Sequence, residues 1–153
     1  MKRTVLACLV CVLLTASVAG TQVDQYMEML RTDVRAEKVA VITEVMEFNA
    51  EEGELFWPIY REYELELAKQ FDKRLALIKD YADNFESIDD AKADELIGAS
   101  FKLIESRTKL QKSYFKKFKK VLGAKRAGTF IQLERQINLL IDLQIAANLP
   151  LID

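Results

Sequence analysis

The sequence predicts an all-α protein, built as a four-helix elongated bundle or a curved helical-hairpin cradle. Glycine and proline are scarce, at five and two residues in a chain of 153. Ala, Leu, Glu and Lys are abundant after residue 20, a composition that favours helix. Apolar residues recur three and four apart over long stretches, the period of an amphipathic helix and not of a strand.

The chain opens with an export signal, not with a helix of the fold. Lys2 and Arg3 are followed by an apolar run from Val5 to Leu14 and then by Thr15-Ala16-Ser17-Val18-Ala19-Gly20, the charged, apolar and small-residue regions of a secretory signal peptide. The run is too short to span a bilayer, which takes about 20 apolar residues. Residues 1–19 are thus read as the signal and residues 20–153 as a single all-helical domain, located in the periplasm. After signal removal no segment is apolar enough for stable membrane insertion. Cleavage after Ala19 puts Ser17 and Ala19 at the small-residue positions, and cleavage after Gly20 is the alternative.

The first helix is expected from about Asp24, a suitable N-cap, to Glu47. Met27, Leu30, Val34, Val41, Val45 and Phe48 form its apolar stripe. The second opens at Asn49, where Glu52 completes a capping-box pattern and Phe48 sits at the staple position. It continues to about Asp83 on a stripe of Phe56, Ile59, Tyr60, Tyr63, Leu67, Phe71, Ile78, Tyr81 and Phe85. Pro58 lies inside it and should kink it, because proline removes a backbone donor. Ser87 to Asp90 break the pattern. A third helix starts there, with Asp89 and Asp90 favourable at its positive end, and runs to Leu122 with Ile97, Phe101, Ile104, Phe115, Phe118 and Leu122 on one face. Leu96, Leu103, Leu110, Tyr114 and Val121 widen that face, either as further core or as a second apolar surface for dimerisation or client contact. Gly123 punctuates the chain. A fourth helix follows from Ala124 to Ala147, carrying Phe130, Leu133, Ile137, Leu140 and Ile141, and Asn148 and Pro150 end it.

The available chemistry is narrow. The chain has no histidine, and its two cysteines, Cys8 and Cys11, lie inside the signal. The mature protein therefore has no Cys/His zinc site, no Glu-x-x-His di-iron motif and no Ser-His-Asp or Cys-His pair. Its carboxylates are scattered over helix faces and show no EF-hand spacing. The expectation is a binding protein, not an enzyme, with no metal and no cofactor.

Two helix starts share a pattern. Phe48-Asn49-Ala50-Glu51-Glu52 aligns with Leu122-Gly123-Ala124-Lys125-Arg126, and further on Phe56 meets Phe130, Ile59 meets Leu133 and Arg61 meets Arg135. Two such starts in a small exported helical protein resemble the Spy/CpxP family of periplasmic proteins, which carry paired Leu-Thr-x-x-Gln motifs at helix starts. The motif residues here are Phe48, Asn49 and Glu52, then Leu122, Gly123 and Arg126, with Asn49 standing where the family has a capping Thr. The stretch Leu55-Phe56-Trp57-Pro58-Ile59-Tyr60-Arg61-Glu62-Tyr63 is also similar to that family, and the resemblance covers roughly Val41 to Leu143. It implies an all-helical protein, often a cradle-shaped homodimer, with ATP-independent chaperone activity or a role in envelope stress. Metal-binding relatives use histidine or cysteine, which the mature chain lacks.

Charge is sorted along the chain. Between Lys102 and Arg126 ten basic residues accompany one acid, Glu105, whereas from Glu44 to Glu66 eight glutamates accompany only Arg61. At about 100° per residue, Lys102, Lys109, Lys112, Lys116, Lys119 and Lys120 share a sector of roughly 100°. Two readings follow. In one, these lysines balance the acidic start of helix two; an antiparallel hairpin through Ser87 then sets Glu54 near Lys117 and Glu62 near Lys109. In the other, they form a client-binding stripe that attracts unfolded or partly folded envelope proteins. Nucleic acid is not an expected partner for an exported, net-negative chain. The function expected is that of a periplasmic ATP-independent chaperone-like protein. The alternatives are a structural or signalling module with one defined envelope partner, and a lipid-surface protein using amphipathic helices.

Overall fold

The computed structural model describes residues 35–152. The signal and the first part of the expected first helix lie outside the described residues. Among the described residues, contacts divide the chain after Glu44 into two units. The protein is all-α, and the described residues contain no strand.

The described part of the first helix, α1, occupies residues 35–46. Its buried residues are Lys38, Ile42 and Met46, spaced four apart on one face. Val41 and Val45, expected in the apolar stripe, are exposed instead. The stripe is displaced by one position, so that the larger Ile and Met side chains are the ones buried. Glu47 ends the helix with φ 43, a left-handed backbone at the position that commonly closes helices.

Helix α2 spans Ala50–Asn84 and α3 spans Asp90–Ala146, with a 3-10 turn at Phe85–Ser87 between them. Both helix starts follow the residues that the sequence nominates. The Asn49 side chain accepts from the Glu52 amide at 2.9 Å while the Glu52 carboxylate accepts from the Asn49 amide at 3.2 Å, a reciprocal capping box. Asp89 caps α3 by accepting from the Lys92 amide at 2.8 Å. Helix α2 continues unbroken through Pro58.

Gly123 divides α3. Its φ of 78° and ψ of 166° are non-helical, in a region that is essentially reserved for glycine. The chain reverses there, giving a first arm of residues 90–122 and a second arm of residues 124–146. Contacts fix the directions. Tyr63 of α2 meets Tyr114 and Phe56 meets Phe118, each pair with ring centroids 5.1 Å apart, and Lys92 meets Asp80 at 2.8 Å. The first arm is therefore antiparallel to α2. The second arm returns alongside, parallel to α2: Phe130 packs on Phe56 at 5.0 Å, and Arg126 pairs with Glu52 at 2.7 Å.

Phe56, Tyr60, Tyr63, Tyr114, Phe118 and Phe130 form an aromatic core beside the Gly123 reversal, all of them buried. Further from the reversal, charge joins the three segments. Arg74 of α2 and Arg107 of the first arm both bind the Asp142 carboxylate on the second, Arg107 at 3.2 Å.

Candidate functional site

All six lysines of the predicted stripe are exposed. At 1.5 Å per residue the row from Lys102 to Lys120 extends about 27 Å along the first arm. None of the six forms an ion pair among the described residues, whereas Arg107, Lys117 and Arg126 do. Lys117 donates to Glu62 at 2.8 Å and lies over the Tyr114 ring at 4.3 Å. That hydrogen bond holds the Lys117 amine above the usual lysine range. Arg107 is committed to Asp142, and Arg126 to Glu52 and the Met46 carbonyl.

The expected pairs Glu54–Lys117 and Glu62–Lys109 are not formed; Glu62 takes Lys117. The reason is register as well as angle. Tyr63 lies against Tyr114, so Lys109 falls five to six residues, roughly 8 Å, further along the arm from Glu62, and it is also about 80° further round from α2 than Lys117.

A second correction concerns the apolar face of the same arm. The structure buries Leu96, Tyr114 and Phe118 and leaves Ile97, Phe101 and Ile104, three members of the expected core stripe, 49%, 61% and 59% exposed. Angle sets the division: Leu96 and Tyr114 share one direction on the helix, with Phe118 about 40° from it, whereas Ile97, Phe101 and Ile104 lie about 80–140° away. Phe118 lies against Phe130 and Arg107 against Asp142. That register sets Ile104 level with Ile145 and leaves Ile97 and Phe101 past the end of the arm at Ala146. On the helix, Ile97, Phe101 and Ile104 share a sector of about 60°, and the lysine sector adjoins it. Exposed apolar side chains thus border exposed cations on one surface. Leu139, Leu140 and Leu143 of the second arm are exposed as well.

The two motif starts meet in space. Arg126, the counterpart of Glu52, pairs with it, donates to the Met46 carbonyl at 2.7 Å and lies over the Phe48 ring at 5.6 Å. Leu122 is half-buried beside the break. Gly123 reverses the chain instead of capping a helix as Asn49 does. These six residues organise the fold at the reversal, beside the Lys119–Lys120 end of the lysine row.

One buried group was not singled out from the sequence. Glu134 is wholly buried, accepting from the Tyr63 hydroxyl at 3.3 Å and from Asn138 Nδ2 at 2.9 Å. The signal was present: Glu134 falls four residues after Phe130 and three before Ile137, on the apolar face of its helix. Burial, with the Glu134 carboxylate beside them, drives the Tyr60 and Tyr63 phenols well above the usual tyrosine range.

The described residues hold no group of three or more His, Cys, Asp or Glu side chains placed to bind a metal, and no helix among them is long and apolar enough to cross a membrane. Comparison with protein families, with characterised proteins and with solved structures gives no match to this chain.

Proposed function

We propose that this protein is a periplasmic, ATP-independent holder of non-native envelope proteins. One observation carries the reading: six unpaired lysines run beside the exposed Ile97, Phe101 and Ile104 on a single helical arm. Cations attract an acidic or partly unfolded chain over distance, and the adjoining apolar side chains retain its exposed hydrophobic segments. Neither step consumes a nucleotide or needs a metal. The signal-like first nineteen residues supply the location. The resemblance to the Spy/CpxP family agrees with this work and adds a homodimer as the assembly.

Light scattering of several unrelated unfolding substrates tests the reading. The protein should suppress aggregation of more than one of them at near-stoichiometric ratios and without ATP. Suppression of none, with saturable binding of one envelope protein instead, would replace the holder by a module with one defined partner. Binding to liposomes alone would assign the exposed faces to a lipid surface.

A further inference from the structure

A shallow groove of about 410 Å3 runs between α2 and the first arm of α3, on the side where Lys102 begins the lysine row. Leu77 on one wall and Ala99 and Leu103 on the other make it apolar, and Lys73 and Lys102 stand on opposite walls. Among the described residues no carboxylate lines it. Gln70, also in the wall, has its Oε1 buried with no hydrogen-bond donor among the described residues. A buried acceptor left unpaired is unfavourable, and any donor brought into the groove relieves that. The volume lies within the range of about 300–1,000 Å3 usual for ligand sites.

We propose that this groove seats an acidic–apolar segment of a protein client. One apolar side chain enters between Leu77, Ala99 and Leu103. Carboxylates on either side of it in the client sequence pair with Lys73 and Lys102. A backbone N–H of the extended segment donates to Gln70. Two features favour peptide over lipid. The cations face each other across the apolar floor, which matches charges flanking a side chain, whereas an acyl chain carries one head group at its end. The missing group is also a donor, which an extended peptide backbone supplies beside each side chain and an acyl chain does not. The proposal rests on the holder reading above and gives it an anchor point and a sequence preference.

Fluorescence anisotropy with a short unstructured peptide, Glu-Phe-Glu between Gly/Ser flanks, tests the proposal on the purified protein. Ala99→Phe fills the groove and Lys73→Glu reverses one wall without touching the lysine row. Each should weaken binding about tenfold, and a Lys-Phe-Lys peptide should bind the wild type about tenfold more weakly than the acidic one. Lys73 is exposed, so its variant remains informative if Ala99→Phe fails to fold. Acidic-peptide binding that survives both substitutions would overturn the proposal. So would binding to phosphatidylglycerol vesicles that both variants abolish while the peptide does not bind at all. The Lys112→Glu, Lys116→Glu, Lys119→Glu protein separates the two levels. If it alone loses aggregation suppression and the groove variants keep both suppression and peptide binding, the holder reading stands and the groove falls. If the wild type suppresses no aggregation but binds the acidic peptide in a groove-dependent way, the holder reading falls and the groove stands.

Discussion

Glu134 and the two tyrosines near it show how one buried polar cluster sets a pH limit on the fold. The Tyr63 hydroxyl donates to the Glu134 carboxylate at 3.3 Å, and both residues are wholly buried. Burial raises the Tyr60 and Tyr63 phenols above their ordinary range, so the native state keeps both protons in alkali. The unfolded phenols ionise near pH 10. Unfolding then releases protons, and stability is full below about pH 10 and falls above it, by about 1.4 kcal/mol per pH unit for each tyrosine. Urea denaturation between pH 8 and pH 11 should show this decline. Tyr63→Phe should remove one tyrosine's share of the slope and cost about 1–3 kcal/mol at pH 8, because the carboxylate loses a donor. An unchanged alkaline slope in the variant would mean that Tyr63 ionises as readily in the folded protein as in the unfolded one.

The elements were legible where their signals are local. Asn49 with Glu52, Asp89, and Gly123 each mark a boundary through a side chain or backbone within four residues, and all three boundaries fall where the sequence puts them. What was not legible depends on neighbours. A helical wheel gives the width of the apolar arc on α3, but which flank of the arm packs inward decides which part of it is covered. Leu96 and Tyr114 share one direction on the helix and are buried, while Ile97, Phe101 and Ile104, about 80–140° round from it, are exposed. The pairing of Glu62 with Lys117 likewise depends on which flank of the arm faces α2, and a residue count through the turn does not contain that. Gly123 gives a test with opposite signs. A Cβ there meets nothing within 4 Å, so sterics with neighbours do not oppose alanine, but φ 78 does. Gly123→Ala should destabilise by about 1–3 kcal/mol if the chain reverses as described. In a continuous helix the same change should stabilise by about 1 kcal/mol, so a rise in melting temperature would refute the reversal. Pro58 is exposed and interior to α2. Pro58→Ala restores a donor and should raise the melting temperature. Reduced aggregation suppression in that more stable protein would assign the proline to function, and unchanged suppression would remove it from the mechanism.

At the scale of the molecule, the acidic start of α2 and the basic first arm of α3 meet through few contacts. Glu62–Lys117 joins them, Glu52 pairs instead with Arg126 of the second arm, and the six lysines of the row remain exposed with no ion pair among the described residues. Their field points outward. Lys112→Glu, Lys116→Glu and Lys119→Glu together change each position by two charges while keeping good helix formers. Because no ion pair is broken, folding stability should change by no more than about 1 kcal/mol. Aggregation suppression should fall, most for acidic clients and most at low salt. Salt alone should weaken the wild type in the same direction, since the Debye length shortens from about 30 Å at 0.01 M to about 10 Å at 0.1 M. A salt series on the wild type, beside melting curves of the triple variant, separates capture from internal balance. If the lysines serve only to offset the glutamates of α2, the variant should melt at a lower temperature and retain its activity per folded molecule. That result would sink the capture mechanism, because the field would then act within the fold and not on a client.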